Sequence, residues 1–270
     1  MMALEENLFF LTTAATAQWH DFAWLEKHLP KDARFTLDDV TDDLACQILS
    51  GPQSRAILAD VTDADLSKPW LTHQSCQIAG RRLQLVRVSS SGSWLGASHE
   101  GGRHGHGLRR GLGCRREAWL KPFGMEALDS LRIEKGYRAW KGDLSTDYTI
   151  LQGGLERFVD WAKPDFKGKA ALEREKQQGV TKRFVTLAVD AGECDAPYMS
   201  TLWRDGQLVG ETTSGNWGYR VGKSVALGML RWDLAVPGTE LEVEIFGDRF
   251  KAIVQPDRPL WDPENERLRA

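Results

Sequence analysis

Along the first two thirds of the chain, apolar positions recur at mixed periods, and along the last third they recur every second residue. Asn7 to Thr12 is a short Phe/Leu-rich run that reads as a strand. Thr16 is placed to cap a helix over Gln18 to His28, in which Phe22, Leu25 and Leu29 are spaced three and four apart before Pro30 stops it. Leu44 to Leu49 reads as a second strand. Pro52 then opens a helix through Leu58, since a proline in a first turn forfeits no hydrogen bond. Cys76 to Val88 alternates about Ala79-Gly80 as a hairpin does, and Ala170 to Gln178 is helical with Gly179 as its C-cap.

Beyond Gly179 the period becomes two. Arg183 to Val189, Gln207 to Val209, Val225 to Leu230, Leu241 to Phe246 and Phe250 to Val254 read as short strands, separated by turn formers such as Asp205-Gly206, Pro237-Gly238 and Gly247-Asp248. Leu241, Val243 and Ile245 alternate with Glu240, Glu242 and Glu244, which marks a sheet with one wet face. The expectation is an α+β region over 1–178 followed by an all-β barrel or sandwich over 179–265. No internal repeat is visible.

One stretch obeys neither period. Ser91 to Trp119 holds eight of the 26 glycines, five arginines and three of the six histidines, with no Val, Ile, Phe, Tyr, Asp or Lys. Such a composition is expected to form neither strand nor amphipathic helix, and to leave His99, His104 and His106 solvated, without a metal. Written with permitted codons and read one nucleotide later, Leu95 to Trp119 becomes a peptide with an alternating strand, an Asp-Thr cap and an amphipathic helix. The segment from about 90 to 119 is therefore read as out of frame, with a disordered insertion as the alternative.

Composition narrows the function classes. At 270 residues the chain can bury a sizeable core, and a net charge of −3 with a pI near 6.1 gives no argument for nucleic-acid or membrane partners. Cys46, Cys76, Cys114 and Cys194 lie far apart with no Cys-x-x-Cys pair, so neither a zinc site nor a disulfide framework is expected. A cytoplasmic location is the expectation, because no signal-like N-terminus and no apolar run of about 18 residues is present.

Two longer blocks carry chemistry. Leu120-Lys121-Pro122-Phe123-Gly124 leads into Asp129-Ser130-Leu131-Arg132 and Glu134-Lys135-Gly136-Tyr137-Arg138-Ala139-Trp140, followed by Gly153-Gly154-Leu155. Downstream stands Thr212-Thr213-Ser214-Gly215, then Lys223-Ser224-Val225-Ala226-Leu227-Gly228, and a tail Pro259-Leu260-Trp261-Asp262-Pro263. In this order and spacing they resemble the aminomethyltransferase fold of the glycine-cleavage T-protein, and most of all its branch fused to flavin-dependent dimethylglycine and sarcosine dehydrogenases. Leu128 stands where T-proteins have an arginine, which argues against simple glycine-cleavage identity.

The resemblance implies a folate-binding domain of antiparallel sheets and helices, then a C-terminal barrel. It also implies tetrahydrofolate as cofactor, with FAD confined to a separate or missing domain, because no Gly-x-Gly-x-x-Gly follows a strand here. The implied activity is capture of a methyl-derived carbon as 5,10-methylene-tetrahydrofolate beside an FAD-dependent amine dehydrogenase; a stand-alone aminomethyltransferase and an inactive remnant or binding module are the alternatives. The family's pterin-binding glutamate belongs to the strand replaced by Ser89 to Gly96, and its acidic residue near the reacting nitrogen to a part expected to be truncated before about Glu5. Five residues, Arg132, Tyr137, Trp140, Tyr219 and Trp261, remain as candidates for folate contact, with Trp217 considered beside Tyr219. Arg132 either lies near folate or serves a structural ion pair, Tyr137 and Trp140 either stack in the cavity or belong to the core, Tyr219 and Trp217 share that ambiguity on a Gly-rich loop, and Trp261 takes the place of a tail tyrosine. No catalytic residue is assigned.

Overall fold

The computed structural model describes residues 1–31, 34–69, 71–78, 81–88, 94–98 and 121–269, and it divides into two compact units, 1–122 with 267–270, and 123–266.

In the first unit β1 (Met2–Glu5) pairs with β2 (Leu8–Phe10), and α1 follows at Gln18–His28. Thr16 does not cap it: residues 15–17 form a 3-10 turn, and Ala17 occupies the N-cap with no side-chain bond. Four further strands, β3 (Ala45–Leu49), β4 (His73–Ile78), β5 (Arg81–Arg87) and β6 (Trp94–Ser98), form an antiparallel sheet in the order β3-β6-β5-β4. The expected hairpin is β4–β5, with Ile78 opposite Arg81. α2 (Ser54–Ala59) contributes Leu58 to a small core with Cys76, Ile78, Leu83 and Leu85.

β6 corrects the expectation that Ser91–Trp119 forms no strand. Its backbone lies between β3 and β5, where Gly96 pairs with both Gln47 and Leu85. A slot between two partner strands offers hydrogen bonds on both edges, and that context overrides weak intrinsic propensity. His99, His104, His106 and the rest of the expected out-of-frame stretch lie outside the described residues.

In the second unit α3 (Met125–Glu134) and α4 (Lys169–Gln178) precede a closed antiparallel barrel. Gly179, at φ +81, ends α4 as the sequence suggests. The barrel strands are β7 (Lys182–Asp190), β8 (Thr201–Arg204), β9 (Gln207–Gly218), β10 (Lys223–Arg231), β11 (Glu240–Ile245) and β12 (Asp248–Val254), closed in the order β10-β7-β12-β11-β8-β9. Period-two alternation sends Leu187, Leu202, Ala226, Leu230 and Val243 into the main core, while Phe184, Val225, Leu227 and Met229 pack with Ile133 of α3 in a second cluster. β10 is thus buried on both faces, which is why Val225 to Leu230 reads as an unbroken apolar run.

β9 is a further correction. The stretch to Gly218 is a 12-residue strand where a Gly-rich loop was expected. Its glycines serve close approach: a Cβ on Gly218 would come within 2.6 Å of the Val221 side chain and 3.1 Å of Glu134 Cγ. β8 is not marked by apolar alternation in the sequence, since Thr201-Leu202-Trp203-Arg204 is only four residues long.

Candidate functional site

The blocks that carry the sequence signal meet at the C-terminal end of α3. Gly136, at φ +64, takes the left-handed position just past the helix, and the paired bonds Tyr137 N–H to Arg132 O and Gly136 N–H to Ile133 O close the turn. The chain is thereby reversed over the barrel, so that Tyr137 to Leu144 folds back toward β9.

At the centre of this loop is Asp143, with no exposed surface. Its Oδ2 accepts from Arg132 Nη1 at 2.7 Å and from the Ala139 N–H at 2.7 Å; its Oδ1 accepts from the Thr213 and Ser214 hydroxyls at 2.5 Å each. Two successive strand residues normally face opposite sides of a sheet. Here β9 carries a bulge: Leu227 pairs with Ser214 and Gly228 with Thr212, leaving Thr213 as the extra residue. The bulge is what lets both hydroxyls reach one carboxylate.

Arg132 is spent in the same cluster. Its Nε donates to Asp129 Oδ1 at 2.7 Å, one turn back along α3, Nη1 also reaches Tyr137 O, and Nη2 donates to Ser214 Oγ at 3.1 Å. Four acceptor positions on Asp143 are filled, so the carboxylate has no free lone pair for a ligand donor. Arg132, Asp143 and the β9 hydroxyls form a clamp that fastens helix, loop and barrel, where removal of either charge would strand the other in a buried site.

A second group surrounds Glu134 and Lys135, both buried. The Glu134 carbonyl accepts from the Leu260 and Trp261 N–H groups, and its Oε1 accepts from the Arg220 N–H at 2.5 Å. Lys135 Nζ donates to Trp261 O, Asp262 O and Asn265 Oδ1 and lies 3.7 Å from Asp262 Oδ2. Burial pushes the Lys135 ammonium below its ordinary value, and Asp262 offsets part of that. The Arg220 guanidinium sits 4.0 Å from the Trp261 ring centroid and Lys135 Nζ 5.1 Å from it.

The five candidate residues therefore separate into two sets. Arg132, Tyr137 and Trp140 belong to the Asp143 loop, with Trp140 39% exposed; Trp261 and Tyr219 belong to the Lys135 end, with Tyr219 79% exposed. Trp217 is tied through its carbonyl to Ser130 Oγ at 2.7 Å. Asp143, the organising carboxylate, was not among the sequence candidates. Its signal was an acidic residue in a Lys141-Gly142 turn, with Lys141 at φ +72 and Gly142 so close to the Thr213 carbonyl that a Cβ would stand 3.2 Å from it. Among the described residues no group of three or more His, Cys, Asp or Glu converges to hold a metal, and no helix is long and apolar enough to cross a membrane.

The same order of domains is found in known proteins. A family profile described as GCVT N-terminal domain matches residues 1–163, and one described as glycine cleavage T-protein C-terminal barrel domain matches residues 182–262. The chain belongs to the glycine cleavage T-protein family. Human mitochondrial dimethylglycine dehydrogenase is 31% identical over 96% of this chain and 31% of its own length. Mouse mitochondrial sarcosine dehydrogenase is 31% identical over 99% of this chain and 30% of its own length. This chain spans about a third of those relatives. The crystal structure of glycine cleavage system aminomethyltransferase T from Bartonella henselae superposes with a TM-score of 0.77 at 23% identity, covering 92% of this chain and 67% of that one, which shows the T-protein fold.

Proposed function

We propose that this chain is the tetrahydrofolate-dependent one-carbon transfer module of a dimethylglycine or sarcosine dehydrogenase-like enzyme, receiving a methyl-derived carbon from an FAD-dependent partner domain or subunit and yielding 5,10-methylene-tetrahydrofolate. The observation that carries this reading is the two T-protein domains in order, with 31% identity to dimethylglycine dehydrogenase across 96% of the chain. Holding donor and acceptor in one cavity would replace a bimolecular encounter with a local one.

The side chains of 123–266 meet folate only in part. Tyr219 and Trp140 present exposed aromatic surface of the kind on which a pterin stacks. Asp143 is saturated, Arg132 is engaged on all three of its nitrogens, and stacking on the face of Trp261 that Arg220 covers would displace that guanidinium. No chemical step is assigned to these residues, and the carboxylate that a pterin's donor-rich edge requires is assigned to none of them.

Calorimetric titration of tetrahydrofolate tests the reading, using the chain as written and a version with Leu95–Trp119 replaced by the peptide read one nucleotide later, which restores a glutamate to the strand. Loss of a charged partner to a buried polar edge costs about 2 to 5 kcal/mol, one to four decades of affinity. Binding by the replaced version that exceeds the original by that margin is the expected result. Absence of binding by both would reject the folate reading in favour of an interaction module, a reading supported by the structural engagement of Arg132 and Trp261.

A further inference from the structure

Arg138, one residue past Tyr137, is not explained by the clamp. Its side chain is 9% exposed, and its guanidinium lies 4.0 Å from the Phe184 ring centroid. Its Nε is buried without a hydrogen-bond partner. Among the described residues its one ion pair is with Asp257 Oδ1, 3.9 Å from Nη2, and the Asp257 side chain is 74% exposed. A desolvated guanidinium facing one loose, hydrated carboxylate is an unusual expense, because burying such a charge is compensated only by close, well-directed acceptors.

The surroundings add positive charge. Burial disfavours the charged form of Arg138, with Arg157 and Arg183 adding to that effect and Asp257 and Asp143 opposing it; Glu156 pairs with Arg183 at 2.8 Å through Oε1 while its buried Oε2 has no hydrogen-bond partner, and Asp143 pairs with Arg132. The backbone makes room for the arrangement. Gly154, in the Gly153-Gly154-Leu155 element, holds φ +67, and a Cβ there would stand 2.9 Å from Arg138 Nη2. Gly154 thus brings backbone against the guanidinium, whose Nη2 faces the exposed Asp257.

We propose that the Nη edge of Arg138, supported by Arg157 and Arg183, is a binding site for an oxyanion with two adjacent terminal oxygens, a carboxylate or phosphate group, and that Asp257 is a displaceable occupant holding the edge in the ligand's absence. A planar fork accepts two parallel oxygens at about 2.7–2.9 Å, which Asp257 at 3.9 Å does not achieve. The site stands independently of the folate reading: it requires only the anionic group, whether on a free inorganic ion or on the end of an organic ligand.

The test is thermal denaturation of the full chain in sodium phosphate, sodium glutarate and sodium chloride at matched ionic strength. Phosphate and glutarate separate an inorganic from a carboxylate source. One of them should raise Tm saturably beyond chloride. Arg138→Met, which keeps the stem on Phe184, should fold and lose that increment, and Arg138→Lys should retain only part of it. Asp257→Asn removes the competitor at an exposed position and should shift the midpoint several-fold to lower anion concentration. Arg249→Met, the same charge change on the outer face of β12, should leave the increment intact. Equal responses in the wild type and Arg138→Met, no saturable response to either anion, or an unchanged or weakened midpoint in Asp257→Asn would each overturn the proposal.

Discussion

Strand β10 buries side chains on both faces, Ala226 and Leu230 toward the barrel interior and Val225, Leu227 and Met229 toward α3, whereas α1 in the other unit has no buried residue and leaves Trp19 79% exposed. Both segments are rich in apolar side chains. What differs is closure: the barrel strands find partners on both edges and a helix over one face, while the N-terminal unit covers its four-stranded sheet with the short helix α2 and a core built around Leu58, Cys76, Ile78, Leu83 and Leu85. Apolar content alone therefore does not tell where stability resides. Position in a closed layer does.

The clamp should give the largest effect. Asp143→Ala would leave Arg132 and two β9 hydroxyls without their acceptor, and breaking a buried pair from one side costs about 3–5 kcal/mol. Denaturant unfolding followed by circular dichroism should show that loss, together with detachment of α3. A change below about 1 kcal/mol would mean that the loop re-forms around another acceptor.

Next comes the contrast in packing. Leu227→Ala removes a fully buried side chain and should cost about 2–5 kcal/mol, whereas Trp19→Ala, on the exposed side of α1, should stay within about 0.5 kcal/mol. Comparable losses at both would show that α1 is covered and that the contrast between the units is wrong.

A third experiment addresses the boundary. We propose that 180–262 folds as a barrel, since its main core is formed by residues within that window. The longer piece 123–266 should be the more stable, because α3 adds Ile133 to the second cluster. Limited proteolysis of the full chain, followed by unfolding of both purified fragments, measures the difference, expected at about 2 kcal/mol or more for one large buried aliphatic. First cuts within Leu241–Val254 would reject the barrel as a unit.

How much of this was legible in the sequence follows the same division. Helices at Gln18–His28 and Lys169–Gln178 and four of the barrel strands were marked by period and by their stop residues. β6 and the second half of β9 were not, because glycine signals both a turn and a backbone that must pass close to another, and only tertiary context separates the two. The site was half legible. Arg132, Thr213 and Ser214 stand in recognisable blocks, but their common partner Asp143 lies 11 residues from Arg132 and about 70 from the hydroxyls, and a bulge that no local pattern announces makes the geometry possible.

The smallest effect concerns Tyr148, which packs at the edge of the α3 cluster and donates from its hydroxyl to Glu211 Oε1 at 3.2 Å. Burial, with the Glu211 carboxylate beside it, pushes the phenol from its ordinary value near 10 up to about 12. A group whose folded pKa lies above its unfolded value binds more protons in the folded state between the two, so its contribution is complete below about pH 10 and is lost as pH rises toward 12. Lys182, 3.4 Å from the same Glu211 oxygen, keeps that carboxylate paired when the phenol is removed. Tyr148→Phe should thus unfold much as the wild type does at pH 8 and lose less stability than the wild type between pH 10 and 12. Chemical denaturation at pH 8, 10 and 11.5 reads the difference, and parallel pH dependences in the two proteins would show that the hydroxyl is solvated and the edge of the α3 cluster more open than the barrel's closure implies.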